Sequence, residues 1–174
     1  MGKIFNSIAS WAIKKRIHQI ELFINYPTEV QNETLLSLIS KAKNTEWGIK
    51  YNYKNISTLS DFKRNVPIST YEDIFPYIER MMNGEQNILW NSEIKWFSKS
   101  SGTTNAKSKF IPVSKESLED CHYKGGKDLV SMYLNNKPDS QLFSGKSLVL
   151  GGSHSKVENS EDIFVGDVSA VIMQ

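Results

Sequence analysis

The chain reads as an α/β protein: a helical N-terminal region, then short strands, then a long helix. Three observations predict this. Apolar residues recur at helical spacing through most of the first 90 positions. Two short β-prone runs, Ile94 to Ser98 and Phe110 to Val113, follow and are set off by polar and small residues. From Ser114 the helical spacing returns and continues to Tyr133. With 174 residues, 39% of them hydrophobic and 11% aromatic, the chain has material for about one domain with a packed core.

In order, Ile4, Ile8, Trp11, Ile13, Ile17, Ile20 and Ile24 form a helical stripe whose other faces carry Lys14, Lys15, Arg16 and His18. Gln19 and Glu21 dilute that basic side, so it reads as a packing helix with a solvated face rather than a membrane-surface helix. Thr28 to Gln31 has capping-box spacing and opens a second helix with Leu35, Leu38, Ile39 and Ala42 inward and Lys41 and Lys43 at its negative end. Trp47, Gly48, Tyr51 and Tyr53 are expected in a loop anchored on the core by its aromatics. Ser60 to Asn65 suits a short helix stopped by Pro67. Asp73 is the expected cap of the next helix, with Pro76 in its first turn, Ile74, Tyr77, Ile78 and Met81 on one face, and Asn83-Gly84 at its end. The acids Glu72, Asp73, Glu79 and Glu85 read as dipole partners and solvated charges rather than as a metal or acid/base pair.

Pro112 places the second strand at a sheet edge or a strand end. Ser114 caps the long helix, whose expected buried face holds Leu118, Cys121, Gly125, Leu129, Met132 and Tyr133. Gly125-Gly126 inside it suggests close approach of a backbone or a ligand. Ser147 to Leu150 is expected as a buried strand, Ile163 to Val165 as another, and an apolar run follows Asp167 to the end. Such a run beside a terminus is unusual, so a front part of a longer protein is expected. Gly145-Lys146-Ser147 has the tail of a Walker A loop, but Ser140 stands where its first glycine belongs and strand follows instead of helix.

Several function classes are excluded on composition. The net charge is +2, from 21 basic and 19 acidic residues interleaved, which leaves no broad basic face for nucleic acid. Cys121 is the only cysteine, so no internal disulfide forms, and three scattered histidines have no zinc-ligand spacing, so no metal site is assigned. No apolar run reaches the ~20 residues of a membrane span and no signal-peptide pattern opens the chain. A cytoplasmic protein without membrane or nucleic-acid partners is expected.

The strongest chemical signal lies between the two strands. Ser100, Ser101, Gly102, Thr103 and Thr104 are five consecutive small residues, with Lys99, Lys107 and Lys109 around them. Backbone N–H groups in such a loop can converge, short hydroxyls add donors, and lysines add charge, which is what a polyphosphate needs. By itself the run also fits an ordinary polar turn. Strand, loop, strand differs from the strand, loop, helix of an ATPase P-loop.

The run from Lys99 to Val113 resembles the nucleotide-binding motif of the auxin-responsive acyl-acid-amido synthetases, a family within the acyl-adenylating superfamily. Lys41 to Gly48, Tyr77 to Trp90 and Ser147 to Gly152 resemble the same family in the same order. The resemblance implies the N-terminal part of an acyl-adenylating enzyme's large domain, incomplete at the C-terminus: residues 1–90 mainly helical, and 91–174 the start of an α/β nucleotide-binding subdomain. It implies ATP and Mg²⁺, with a small-molecule carboxylic acid adenylated first and the amine of an amino acid then attacking the activated carbonyl. Carried over by position, Ser100, Ser101, Gly102, Thr103 and Thr104 contact phosphates, with Lys109 the first cation and Lys107 the second. No catalytic residue is assigned, and Asn105-Ala106 and Lys107-Ser108 depart from the stiffer glycine- and proline-bearing loops of the superfamily. An N-terminal portion, inactive alone, is therefore the leading expectation. A non-catalytic nucleotide- or anion-binding module and a helical interaction module stand as alternatives.

Overall fold

The structure, a computed structural model, describes residues 2–100, 108–140, 142, 146, 148–157 and 162–173, with side chains from residue 13 onward except Lys14. The chain divides into two compact units, Met1–Gln31 with Glu119–Val149, and Asn32–Leu118 with Leu150–Gln174.

Helices α1 (Gly2–Asn25) and α2 (Pro27–Ala42) are separated by Tyr26 alone. Pro27 takes the first helical position of α2, where its fixed φ and missing N–H carry no penalty. Thr28 therefore lies inside the helix instead of capping it. Ile39 and Ala42 are buried as the spacing predicts, but Leu38 is exposed.

The segment expected as a loop after residue 44 is a short helix, α3 (Glu46–Lys50). Thr45 makes the difference: fully buried, it accepts a bond from the Gly48 N–H at 3.0 Å and donates to the Ala42 carbonyl at 2.7 Å. Such a cap satisfies N–H groups that a helix start leaves open. The aromatics do anchor this region, Trp47 lying 4.6 Å from Tyr51 and edge-on to Tyr77 at 5.2 Å.

Helices α4 (Leu59–Asn65) and α5 (Tyr71–Met82) both open with reciprocal capping boxes, Thr58 with Asp61 and Thr70 with Asp73. Asp73 is thus the third-position partner and Thr70 the cap, which moves Pro76 into the second turn. Ile78 and Met81 are buried on the predicted face, and Gly84, at φ 95°, ends the helix in the left-handed conformation glycine tolerates. The Thr58 hydroxyl, then the backbone and hydroxyl of Ser57, and the charge of Arg64 together hold the Asp61 carboxyl down from an ordinary 3.8 to about 2. A depressed folded value stabilises the fold above pH 3.8, and that contribution disappears as pH falls through about 2. In Asp61→Asn the loss of stability on acidification across this interval is expected to be shallower, as read from urea midpoints on either side of it.

Among the described residues four short strands form one sheet in the order β2-β1-β4-β3: β1 (Trp96–Lys99), β2 (Phe110–Val113), β3 (His154–Lys156) and β4 (Phe164–Gly166). The β1/β4 pair is parallel and the two outer pairs are antiparallel. Pro112 sits on the edge strand β2, where a missing N–H breaks no ladder. Phe97 and Val165 are register partners on one face and join the core of Ile78, Met81, Ile88, Ile94 and Ile163. Trp96 stacks on its own partner Phe164 at 4.6 Å on the other. After β4 comes α8 (Val168–Ile172), with Ala170 and Val171 buried.

Ser114 caps the first turn of the next helix, α6 (Lys115–Ser117), through the Ser117 N–H at 3.0 Å. Leu118–Tyr123 then widens to a π-helical turn before α7 (Lys124–Asn136). This overturns the expected buried face. Each residue a π turn adds rotates the following stripe by about 100° relative to a 3.6-residue helix, so a stripe projected from Leu118 ends in solvent. Cys121, Leu129, Met132 and Tyr133 are all exposed, while Ser131 is buried. Within its unit, Asp128 of α7 forms a two-pronged ion pair with Arg16 of α1, one prong at 2.6 Å from Nη2 to Oδ2. Among the described residues nothing lies within 4 Å of a Cβ added at Gly125 or Gly126, so no described backbone makes the expected close approach there.

A buried strand at Ser147 to Leu150 is also corrected. Leu148, Val149 and Leu150 are 89%, 71% and 85% exposed, and pairing begins only at His154, beyond the Gly151-Gly152 pair. Among the described residues no strand lies beside them to make them one.

Candidate functional site

Strand β1 runs out at Lys99, and the next residue closes the neck of the hydroxyl loop. The Ser100 N–H donates to the Lys109 carbonyl at 2.9 Å, and the Lys109 N–H donates to Ser100 Oγ at 3.1 Å. Of the residues expected to hold phosphate, Ser100 and Lys109 thus form the base of the loop. Ser101, Gly102, Thr103, Thr104 and Lys107 lie outside the described residues.

Because β1 and β4 are parallel, their carboxyl ends share one side of the sheet, and antiparallel β3 begins there as well. A cleft of about 360 Å³ opens at this end. Lys99, Ser100 and Ser108 line it from the loop side, Ser153, His154 and Ser155 from β3, and Val165, Gly166 and Asp167 from the end of β4. The carboxyl ends of parallel strands are where open α/β sheets commonly bind ligands.

The β3 side is tightly fixed. The Asp167 N–H donates to the Ser153 carbonyl at 3.1 Å, the Ser153 N–H donates to Asp167 Oδ2 at 3.2 Å, and the Gly152 N–H donates to Ser169 Oγ at 2.9 Å. Gly166 permits this approach: a Cβ there would lie 2.7 Å from the Ser153 carbonyl oxygen. The cleft therefore presents serine hydroxyls, an ammonium and an imidazole, and the Asp167 carboxylate that lines it is already turned to a backbone N–H. That donor set suits an anion carrying several oxygens.

Of the loop's three lysines, the two described divide. Among the described residues Lys99 is the lysine lining the cleft, whereas the Lys109 ammonium lies 5.0 Å over the ring of Tyr71. Tyr71, the first residue of α5, also meets strand β2: the Phe110 N–H donates to its hydroxyl at 2.8 Å, and that hydroxyl reaches the Phe110 carbonyl at 3.4 Å. Sequence reasoning passed over Lys99 as a lining residue, and over Tyr71, His154 and Asp167. Lys99 was visible as one of the loop's three basic residues. The other three come to the loop only through strand pairing and helix packing between distant segments.

The sequence profile of the GH3 family N-terminal domain matches residues 16–174. The chain is 35% identical over 104 residues to the putative indole-3-acetic acid-amido synthetase GH3.9 of Arabidopsis thaliana. It is 34% identical over 108 residues to the jasmonoyl–L-amino acid synthetase JAR4 of Nicotiana attenuata. Each match covers 59% of this chain and 18% of the relative. Among solved structures, a GH3.15 acyl acid amido synthetase matches with a TM-score of 0.75 at 26% identity, covering 90% of this chain and 28% of that one. A second GH3.15 structure, described as a complex with 2,4-DB, matches at 0.73 and 28% identity over 88% of this chain and 26% of that one. The fold is therefore the α/β N-terminal part of a larger enzyme's architecture, as the resemblance implied. The chain spans less than a fifth of the length of these curated relatives.

Proposed function

We infer that this chain, which belongs to the GH3 family, is the nucleotide-holding N-terminal portion of an ATP-dependent acyl-acid-amido synthetase, joining a small carboxylic acid to an amino acid. The observation that carries the reading is the cleft at the carboxyl ends of β1 and β4, walled by the neck of the hydroxyl loop. Its serine hydroxyls and Lys99 match the oxygens and charge of a phosphate chain. Ser100 and Lys99 would hold phosphate from the neck, and Ser101, Gly102, Thr103, Thr104 and Lys107 from the loop, with Lys109 adding its charge from the loop's base beside Tyr71. ATP, when bound, supplies the activation of the carboxylate. The task of these residues is to keep its phosphates in place and to balance negative charge as it moves toward the leaving pyrophosphate.

Mg²⁺ would accompany the nucleotide, since it is commonly held by one or two carboxylates together with substrate phosphates and Asp167 is a carboxylate lining the cleft. Among the described residues no helix is long and apolar enough to cross a membrane. A cytoplasmic setting is proposed from this chain's lone cysteine.

Calorimetry of the 174-residue chain with ATP tests the reading. Binding is expected, weakened about tenfold by Lys99→Ala through loss of one charge-assisted contact. Failure to bind ATP, or binding indifferent to both Lys99→Ala and Ser100→Ala, overturns it. Exchange of labelled pyrophosphate into ATP separates two forms of the proposal. Binding without exchange marks a portion that holds nucleotide and leaves chemistry to other parts, whereas exchange marks a chain that adenylates by itself.

A further inference from the structure

We propose that Tyr71 is a positioning residue for the hydroxyl loop, pinning the strand that leaves it and docking the Lys109 ammonium; this rests on the phosphate-site reading above. The argument begins with the ladder between β1 and β2. Ser100 and Lys109 close a hydrogen-bonded pair through two contacts, and Lys99 and Phe110 are the next pair along. Antiparallel pairs alternate between bonded and non-bonded, so the N–H and C=O of Phe110 point away from β1. Strand β2 is the sheet edge, where such groups would otherwise face open space.

The Tyr71 hydroxyl takes both, accepting from the Phe110 N–H at 2.8 Å and donating, more weakly, to its carbonyl at 3.4 Å. A phenol can do this because its oxygen is acceptor and donor at once. The tyrosine is itself well fixed, being the first helical residue within the Thr70–Asp73 capping box with its ring packed against the buried cluster. The Lys109 ammonium lies 5.0 Å over the same ring, within the ~6 Å range of cation–π attraction. One side chain therefore holds both the last backbone link of the loop and its last cation. Tyr71 belongs to α5 while Lys109 and Phe110 follow the loop, so helix and loop are tied at this point.

The test is binding of inorganic tripolyphosphate and of ATP to the 174-residue chain carrying Tyr71→Leu or Tyr71→Phe, each alone and with Lys109→Met. Tyr71→Leu, which removes ring and hydroxyl, is expected to weaken tripolyphosphate binding about fivefold. Tyr71→Phe, which keeps the ring, loses less. With Lys109→Met already present, Tyr71→Leu is expected to cost only the smaller loss seen for Tyr71→Phe, because the ring acts through the lysine and the hydroxyl through Phe110. A stably folded Tyr71→Leu chain with unchanged affinity overturns the proposal, as does the same loss with or without Lys109. Should Tyr71→Leu not fold, proton NMR of the unsubstituted chain decides: ring-shifted Lys109 side-chain resonances support the docking, and unshifted ones overturn it. Absence of any tripolyphosphate or ATP binding by the unsubstituted chain is a different result, which removes the phosphate site and this inference together.

Discussion

Phe97→Ala is expected to destabilise the fold by about 4 kcal/mol, seen as a lower urea midpoint with little change in slope. Phe97 has no exposed surface and lies on β1, an inner strand of the sheet. Its ring meets a cluster built from Ile78 and Met81 of α5, Ile88 and Ile94 of the connecting segment, and Ile163 just before β4. Truncation forfeits the burial of the aromatic ring and leaves a void that these neighbours, drawn from three separate segments, cannot all move to fill. The loss should also reach the cleft, since Lys99 ends the same strand and Ser100 directly follows it. Phe97→Leu, which keeps most of the volume, is expected to cost less than half as much. If Phe97→Ala unfolded at the same urea concentration as the unsubstituted chain, the core would not be organised around β1 as described.

What was legible in the sequence and what was not follow from the range of each interaction. The hydroxyl loop between two strands was legible because hairpin strands are neighbours in sequence, and Pro112 reported its own edge position through a missing N–H. The capping boxes at Thr58 and Thr70 are equally local, yet Thr70 was overlooked because Asp73 is also a good cap and the two compete for one role. The buried face of α7 was misread because six residues wind as a π turn, and a stripe read at 3.6 residues per turn loses its phase there. Leu148, Val149 and Leu150 have the composition of a buried strand, but composition records suitability for a sheet and not the presence of a neighbouring strand. The cleft was the least legible feature. It exists because β1 pairs with β4 and β4 with β3, contacts that no local spacing encodes.

Gly166→Ala should damage fold and cleft together, with an expected loss of about 3 kcal/mol and weakened tripolyphosphate binding. An alanine Cβ would lie 2.7 Å from the Ser153 carbonyl oxygen and the His154 Cβ, and 2.9 Å from the His154 Cα. Two of these atoms are backbone, and no rotamer change can withdraw them. Gly166 and His154 are register partners, so relieving the collision means separating β3 from β4 at the point where both border the cleft. Separation would also strain the exchange of bonds between Ser153 and Asp167, the contact that fixes one wall relative to the other. Gly125→Ala is the matching control, because an added methyl there meets nothing within 4 Å and the helix gains up to about 1 kcal/mol. Urea midpoints and calorimetry on the two variants read both effects. A Gly166→Ala chain that is as stable as its parent and binds tripolyphosphate as well would mean that β3 does not press against the end of β4. The cleft would then lack the fixed wall from which its use as a phosphate site was argued.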